Sequence, residues 1–287
     1  MPQIRGRRIG WITMLLAALV MPSVAAAQQD AAATSPLQSL PQRGDVLVTV
    51  KFVLNVSMAG AGADREVESE TTCLMIDPEG LVLCSNTELG GYVSLMSQMM
   101  GRGSGFDVTA TPRGLEVVLS EGDDGLDAQL LARDTERDLA WVRIEGDLEG
   151  RTIAAVDLSD SAELAVGDQF YRLRRMDKFF GSQPVVSEGT VAAVLSKPRK
   201  LLVPSQPMSG GFGLPVFDAT GKLVGLTVIQ TPGAEDQING ALAGGMSFLS
   251  SAAKLQDMVG GLILPAADLA KATRLARESF AEDDEDE

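Results

Sequence analysis

The chain has no histidine in its 287 residues. Without an imidazole it can build no Ser-His-Asp or Cys-His relay, no His-ligated zinc site and no histidine pH switch. Aromatic residues make up only 5% of the sequence, too few for base-stacking surfaces. Positive charge is also scarce. Lys plus Arg number 24 against 39 Asp plus Glu, and the resulting net charge of −15 repels phosphate backbones, which excludes nucleic acid as a partner. No apolar run reaches the roughly eighteen residues a membrane-spanning helix needs. No repeat of solenoid period is present. What remains is an ordinary globular composition, 45% hydrophobic and 22% charged with 30 Gly and 13 Pro, long enough for one large or two ordinary domains. No metal or cofactor set is read in it.

Arg5, Arg7 and Arg8 precede an apolar run over 10–21, and Ala25, Ala26 and Ala27 follow it. This is the layout of a secretory signal peptide over 1–27 with cleavage after Ala27, the alternative being an uncleaved anchor. The adjacent Arg7 and Arg8 also fit a twin-arginine export signal. An exported chain, periplasmic or extracellular and with no membrane span after cleavage, is the expectation. From 28 to 44 the composition turns to Ala, Gln, Ser, Pro and Thr without apolar periodicity, which predicts a flexible leader.

From 45 onward short runs rich in Val, Leu and Ile alternate with Gly, Asp, Pro and Ser. They predict strands over 46–56, 67–76, 81–85, 114–120, 126–132 and 139–144, then over 169–174, 185–195, 201–203, 214–217, 223–229 and 245–249. A dozen short strands with few helices means an all-β protein. The break around 147–167 divides them evenly, predicting two six-stranded antiparallel barrels over 45–146 and 147–262. A short helix is expected at 250–258, capped by Ser250 with Gly260 beyond it.

Two stretches depart from this rhythm. Between 89 and 112 lies a Gly- and Met-rich insertion in which Met96, Met99 and Met100 share one face at helical spacing, either an adaptable binding surface or a lid helix packed on the barrel. The C-terminal piece, 263–287, reads as an amphipathic helix over 265–280 and then a disordered tail of six adjacent carboxylates, Glu282 to Glu287. Such a tail keeps the chain soluble, docks a basic partner or loosely holds a divalent cation, the first being the expectation.

Cys73 and Cys84 flank the turn Asp77-Pro78-Glu79-Gly80. If those four residues form a hairpin loop, Ile76 faces Leu81 and the two cysteines stand directly opposite on adjacent strands. Cross-strand pairs bring the β-carbons to about 4.5–5.5 Å, a separation that modest twist closes into a disulfide. Two buried thiols are the alternative.

The hairpin CLMIDPEGLVLCSNT, Cys73 to Thr87, resembles that of the trypsin-fold serine proteases of the HtrA-like (Deg) type, where it leads to the catalytic histidine. Three further stretches extend the likeness in order: 115–144 toward the catalytic aspartate, 158–167 with 186–196 across the junction between barrels, and GGFGLPVFDATGKLVGLTVI over 210–229 at the nucleophile loop. The resemblance covers about 45–259 and implies the double β-barrel. It places the histidine on Thr87, the aspartate on Asp138 and the nucleophilic serine on Phe212, so two of three triad members are missing. A threonine hydroxyl is no base near neutral pH and a phenyl ring no nucleophile. The resemblance therefore implies the fold while withdrawing the activity.

It also implies what is left of the site. The backbone N–H groups of Gly210 and Phe212 would line the former oxyanion hole, with Gly211 between them, free to hold a carbonyl or carboxylate. The Phe212 ring is expected where a scissile bond would lie, and Asp138 is expected to accept hydrogen bonds from Thr87 and neighbouring backbone. The expected function is an inactive peptidase homologue binding or scaffolding a protein or peptide of the cell envelope. Its alternative is a hydrolase using Ser209 with a lysine such as Lys197, Lys200 or Lys222.

Overall fold

The computed structural model of the chain describes residues 35–58, 65–91, 108–148, 150–208, 211–230 and 261–285, all within one compact unit, Ser35–Glu287. Two closed antiparallel barrels of six strands each make up that unit. The first contains β1 (Leu47–Met58), β2 (Arg65–Asp77), β3 (Leu81–Ser85), β4 (Val108–Val118), β5 (Leu126–Asp134) and β6 (Leu139–Ile144), closed in the order β1-β2-β3-β6-β5-β4. The second contains β7 (Gln169–Arg175), β8 (Pro184–Leu195), β9 (Leu201–Pro204), β10 (Pro215–Phe217), β11 (Leu223–Val228) and β12 (Leu262–Pro265), closed as β10-β11-β12-β9-β8-β7.

Side chains alternate across a strand, so an unbroken apolar run signals burial on both faces. Cys73 and Met75 of β2, Val82 and Cys84 of β3, and Ala140 and Val142 of β6 fill the first barrel. Their neighbours Leu74, Leu83, Leu139 and Trp141 point the other way, into a larger core shared with Leu173, Leu201, Phe217, Leu223 and Leu264 of the second barrel. The interior of the second barrel is a smaller cluster of Phe170, Val191, Leu202, Val216, Val224 and Ile263. The common core explains why the runs of both halves lack polar alternation.

The Cys73–Cys84 disulfide forms inside the first barrel, with Cα atoms 4.6 Å apart and both residues fully buried. Its register is as the sequence predicts, because Leu74 pairs with Leu83 and Met75 with Val82. The turn itself differs. Asp77, rather than Ile76, pairs with Leu81, and an irregularity between Met75 and Asp77 restores the register. Gly80, at φ 91°, supplies the left-handed residue that ends such a three-residue loop, and its N–H donates to the Asp77 carbonyl at 3.0 Å.

Three segments depart from the sequence expectations. The leader predicted to be flexible as far as 44 is ordered from Ser35: helix α1 (Pro36–Ser39) runs into a 3-10 turn, Leu40–Val46. Leu40 is 1% exposed in the shared core. Arg43 lies over the Phe217 ring at 5.0 Å and donates to the Gly221 carbonyl, and Arg175 donates to the carbonyls of Gly44 at 2.8 Å and Leu47 at 3.2 Å. Leu40 and Val46, with Arg43 and Arg175, hold a stretch whose composition gives no periodic signal.

The second departure is the strand closing the second barrel. Leu262–Pro265 pairs with β11 and, through Ile263 and Leu202, with β9. Gly225 admits it so closely that a β-carbon there would lie 2.0 Å from the Leu264 carbonyl oxygen. The strand expected at 245–249 and the helix expected at 250–258 lie outside the described residues. So do residues 1–27, where a signal peptide is expected, and Met96, Met99 and Met100.

The third is the C-terminal helix, α2 (Ala266–Glu285), whose backbone continues past Phe280 into the acidic run predicted to be disordered. Ala266, Leu269, Ala272 and Ala276 bury one face in the shared core. The Trp141 indole N–H donates to the Thr273 hydroxyl at 3.0 Å. Arg277 pairs with Asp77 at the tip of the cysteine hairpin. Burial raises the Asp77 carboxyl pKa, but the Glu79 N–H and Arg277 outweigh it and hold the group below its ordinary range. A helix moored by packing, a buried hydrogen bond and an ion pair keeps its last turns regular.

Candidate functional site

The turn after β3, the loop between β5 and β6, and the stretch before β10 meet at the junction of the barrels. Asp138 lies at their centre, 2% exposed and held at φ 58°, a left-handed backbone that Asp tolerates better than most residues. Its carboxylate collects donors from both barrels. From the first, the Thr87 N–H donates to Oδ1 at 2.7 Å and the Ser85 hydroxyl to Oδ2 at 2.9 Å. From the second, the Ile229 N–H donates to Oδ2 at 3.0 Å. The Thr87 hydroxyl also interacts with it, and the Asp138 carbonyl accepts from the Asn86 N–H at 3.1 Å. Burial is the largest influence on Asp138 and pushes its pKa above the ordinary aspartate value in spite of these donors.

Thr87 is 8% exposed and turned inward on Asp138. Its neighbour Glu88 faces the opposite loop. The backbone N–H of Phe212 donates to Glu88 Oε1 at 3.1 Å, which brings the three positions 87, 138 and 212 into one cluster. Phe212 sits between two left-handed glycines, Gly211 at φ 96° and Gly213 at φ 75°. A β-carbon on Gly213 would come 2.8 Å from the Ser85 backbone nitrogen, so the loop seats against the end of β3 only with glycine there. The Gly213 N–H donates to the Thr227 carbonyl at 2.7 Å and the Leu214 N–H to the Thr227 hydroxyl at 3.0 Å, fixing the loop on β11.

One expectation for this site changes. The donor of Phe212 expected to be free for a ligand is engaged by Glu88, a residue the sequence offered only as one polar position after the hairpin. The Phe212 ring turns toward the entry of β12, where Gly261 approaches it so closely that a β-carbon would be 3.3 Å from Cε1, with Met208 beside the same glycine. Among the expected partners of Asp138, Thr87 is present; Ser85 and Ile229 were not foreseen. Ile229 reaches the site from 91 residues away in sequence, a pairing no local pattern announces.

Ser209 and Gly210 lie outside the described residues. Of the lysines considered beside Ser209, Lys200 pairs with Glu163 at 3.2 Å and Lys222 pairs with Asp160. In chemical terms the described part of the site offers a buried carboxylate saturated with donors, a threonine, and a backbone N–H bonded to a carboxylate.

The chain matches the trypsin-like peptidase domain family over residues 72–226, more than half its length. Among solved structures it is similar to the protease domain of MamO from Magnetospirillum magneticum in its apo form, at 17% identity and a TM-score of 0.42, over 77% of this chain and 94% of that one. It is also similar to the HtrA-type protease AlgW, carrying a serine-to-alanine substitution and bound to a tripeptide, at 17% identity and a TM-score of 0.46. That likeness covers 80% of this chain and 60% of the other. No curated protein sequence matches.

Proposed function

The chain belongs to the trypsin-like peptidase domain family, and we propose that within it this protein is an exported, non-catalytic member that binds or scaffolds a protein or peptide of the cell envelope. The observation that carries this reading is the content of the triad positions. The chain has no histidine, and the resemblance to HtrA-like proteases assigns Thr87 to the position of the base and Phe212 to that of the nucleophile. Loss of one triad member removes nearly all the rate due to the set, and here two are absent. The engagement of Asp138 by both barrels supports a structural role for the one that survives. The Cys73–Cys84 disulfide supports export, since such bonds persist in oxidising compartments. Among the described residues no helix is long and apolar enough to cross a membrane, which is compatible with release after signal cleavage.

An extended peptide is the ligand chemistry to test first, because the resemblance to HtrA-like proteases implies a cleft that holds peptides in extended form. Purified mature protein mixed with fluorescein-labelled unfolded casein is expected to raise the fluorescence anisotropy saturably while the casein stays intact on a gel. Saturable binding without cleavage supports the reading. Fragments accumulating in proportion to protein concentration would show an enzyme, and a flat anisotropy titration would remove the peptide-binding assignment.

A further inference from the structure

The resemblance to HtrA-like proteases assigns the Phe212 N–H to the former oxyanion hole, and in this chain the Glu88 carboxylate holds that N–H at 3.1 Å. We infer that Glu88 is an occupant of this position in cis, and that a ligand carbonyl or carboxylate reaches the Phe212 N–H only by displacing it. The inference deepens the peptide-binding reading and rests on it for the identity of the competing ligand.

Both sides of the contact are built. On one side, the turn carrying Glu88 is tied down twice: the Glu88 N–H donates to the Ser85 hydroxyl oxygen at 3.3 Å, and the half-buried Arg133 spans Asn86 Oδ1 and the Leu89 carbonyl, each at 3.1 Å. On the other side, the left-handed glycines 211 and 213 aim the Phe212 N–H, and Gly213 locks the loop onto β11. A β-carbon at Gly211 would stand 3.6 Å from Glu88 Oε1, so the carboxylate lies directly over this bend. The bond also crosses between barrels, joining residues 124 apart.

An N–H bonded to an ionised carboxylate is satisfied about twice as well as one bonded to a neutral carbonyl. A peptide carbonyl arriving in trans therefore replaces a stronger acceptor with a weaker one. The closed form is favoured until other contacts of the ligand compensate. Glu88 is thus a positioning residue that sets how readily the cleft opens, and it supplies selectivity against weak, single-point ligands.

Two measurements on Glu88→Ala and Glu88→Gln test this. The first needs no ligand: amide hydrogen exchange of Phe212, followed by NMR, is expected to accelerate on the order of tenfold or more in Glu88→Ala, and less in Glu88→Gln, whose amide oxygen still accepts. Exchange at Leu226 of the second barrel is expected to stay unchanged and reports that the fold is intact. The second is anisotropy with labelled unfolded casein, expected to bind Glu88→Ala several-fold more tightly than the wild type. An unchanged Phe212 exchange rate, or casein affinity equal to or below that of the wild type, overturns the inference. Casein cleavage by the wild type would instead contradict the non-catalytic assignment, so the two failures are read separately.

Discussion

Asp138→Ala is expected to destabilise the protein by about 3–5 kcal/mol in urea unfolding, because it strands three buried donors at once. The N–H groups of Thr87 and Ile229 and the Ser85 hydroxyl all lose their acceptor. Each buried donor left unsatisfied costs about 1–3 kcal/mol, and water entering the space left by the carboxylate recovers part of that. Asp138→Asn is expected to cost about 2 kcal/mol, since one carboxylate oxygen becomes an NH2 group facing a donor. The two variants separate loss of shape from loss of hydrogen-bond pattern.

The pH dependence of this comparison has a definite sign. Burial raises the folded-state pKa of Asp138 above its unfolded value. The stability linked to its titration is therefore fully present below the unfolded pKa and is lost as pH rises through the folded one. The stability gap between wild type and Asp138→Asn is expected to be widest on the acid side, to narrow as pH rises through the raised pKa, and to be flat above it. A gap that widens with rising pH would mean that the hydrogen bonds outweigh burial and that the carboxylate is the favoured form.

Replacing both cysteines, Cys73→Ala with Cys84→Ala, is expected to cost on the order of 3 kcal/mol, the chain-entropy value for a loop of about this size. The sequence separation is 11 and both residues are fully buried in the first barrel. Alanine is the informative replacement, since serine would add two buried hydroxyls. Burial also predicts a kinetic signature: dithiothreitol is expected to reduce the bond at a rate that tracks unfolding of the first barrel. Reduction that is fast and proportional to reductant under native conditions would show that the barrel opens locally at its hairpin.

The strands were legible because a common core buries both of their faces. Runs such as LMI at 74–76 and LAWV at 139–142 signal strands buried on both faces, and the spacing of such runs divides them into two groups of six. The cysteine pairing was legible from the turn between the two residues, although the loop is one residue shorter than expected. What escaped has a common physical character. Leu40 enters the core from a polar stretch, and β12 is four residues ending at a proline, too short to show a period. At the site, the resemblance placed positions 87, 138 and 212 on three segments that do meet. The contacts that define it, Glu88 with Phe212 and Ile229 with Asp138, join residues 124 and 91 apart and leave no mark on either local segment.

The proposed non-catalytic role requires a trypsin-type cleft with no activated nucleophile. Intact-mass spectrometry of the purified protein after incubation with a fluorophosphonate probe, which esterifies activated serines, addresses that most directly. The expected spectrum shows the unmodified mass with the disulfide retained, in the wild type and in Ser209→Ala alike. A stoichiometric adduct on the wild type that disappears in Ser209→Ala would contradict it and identify a serine hydrolase.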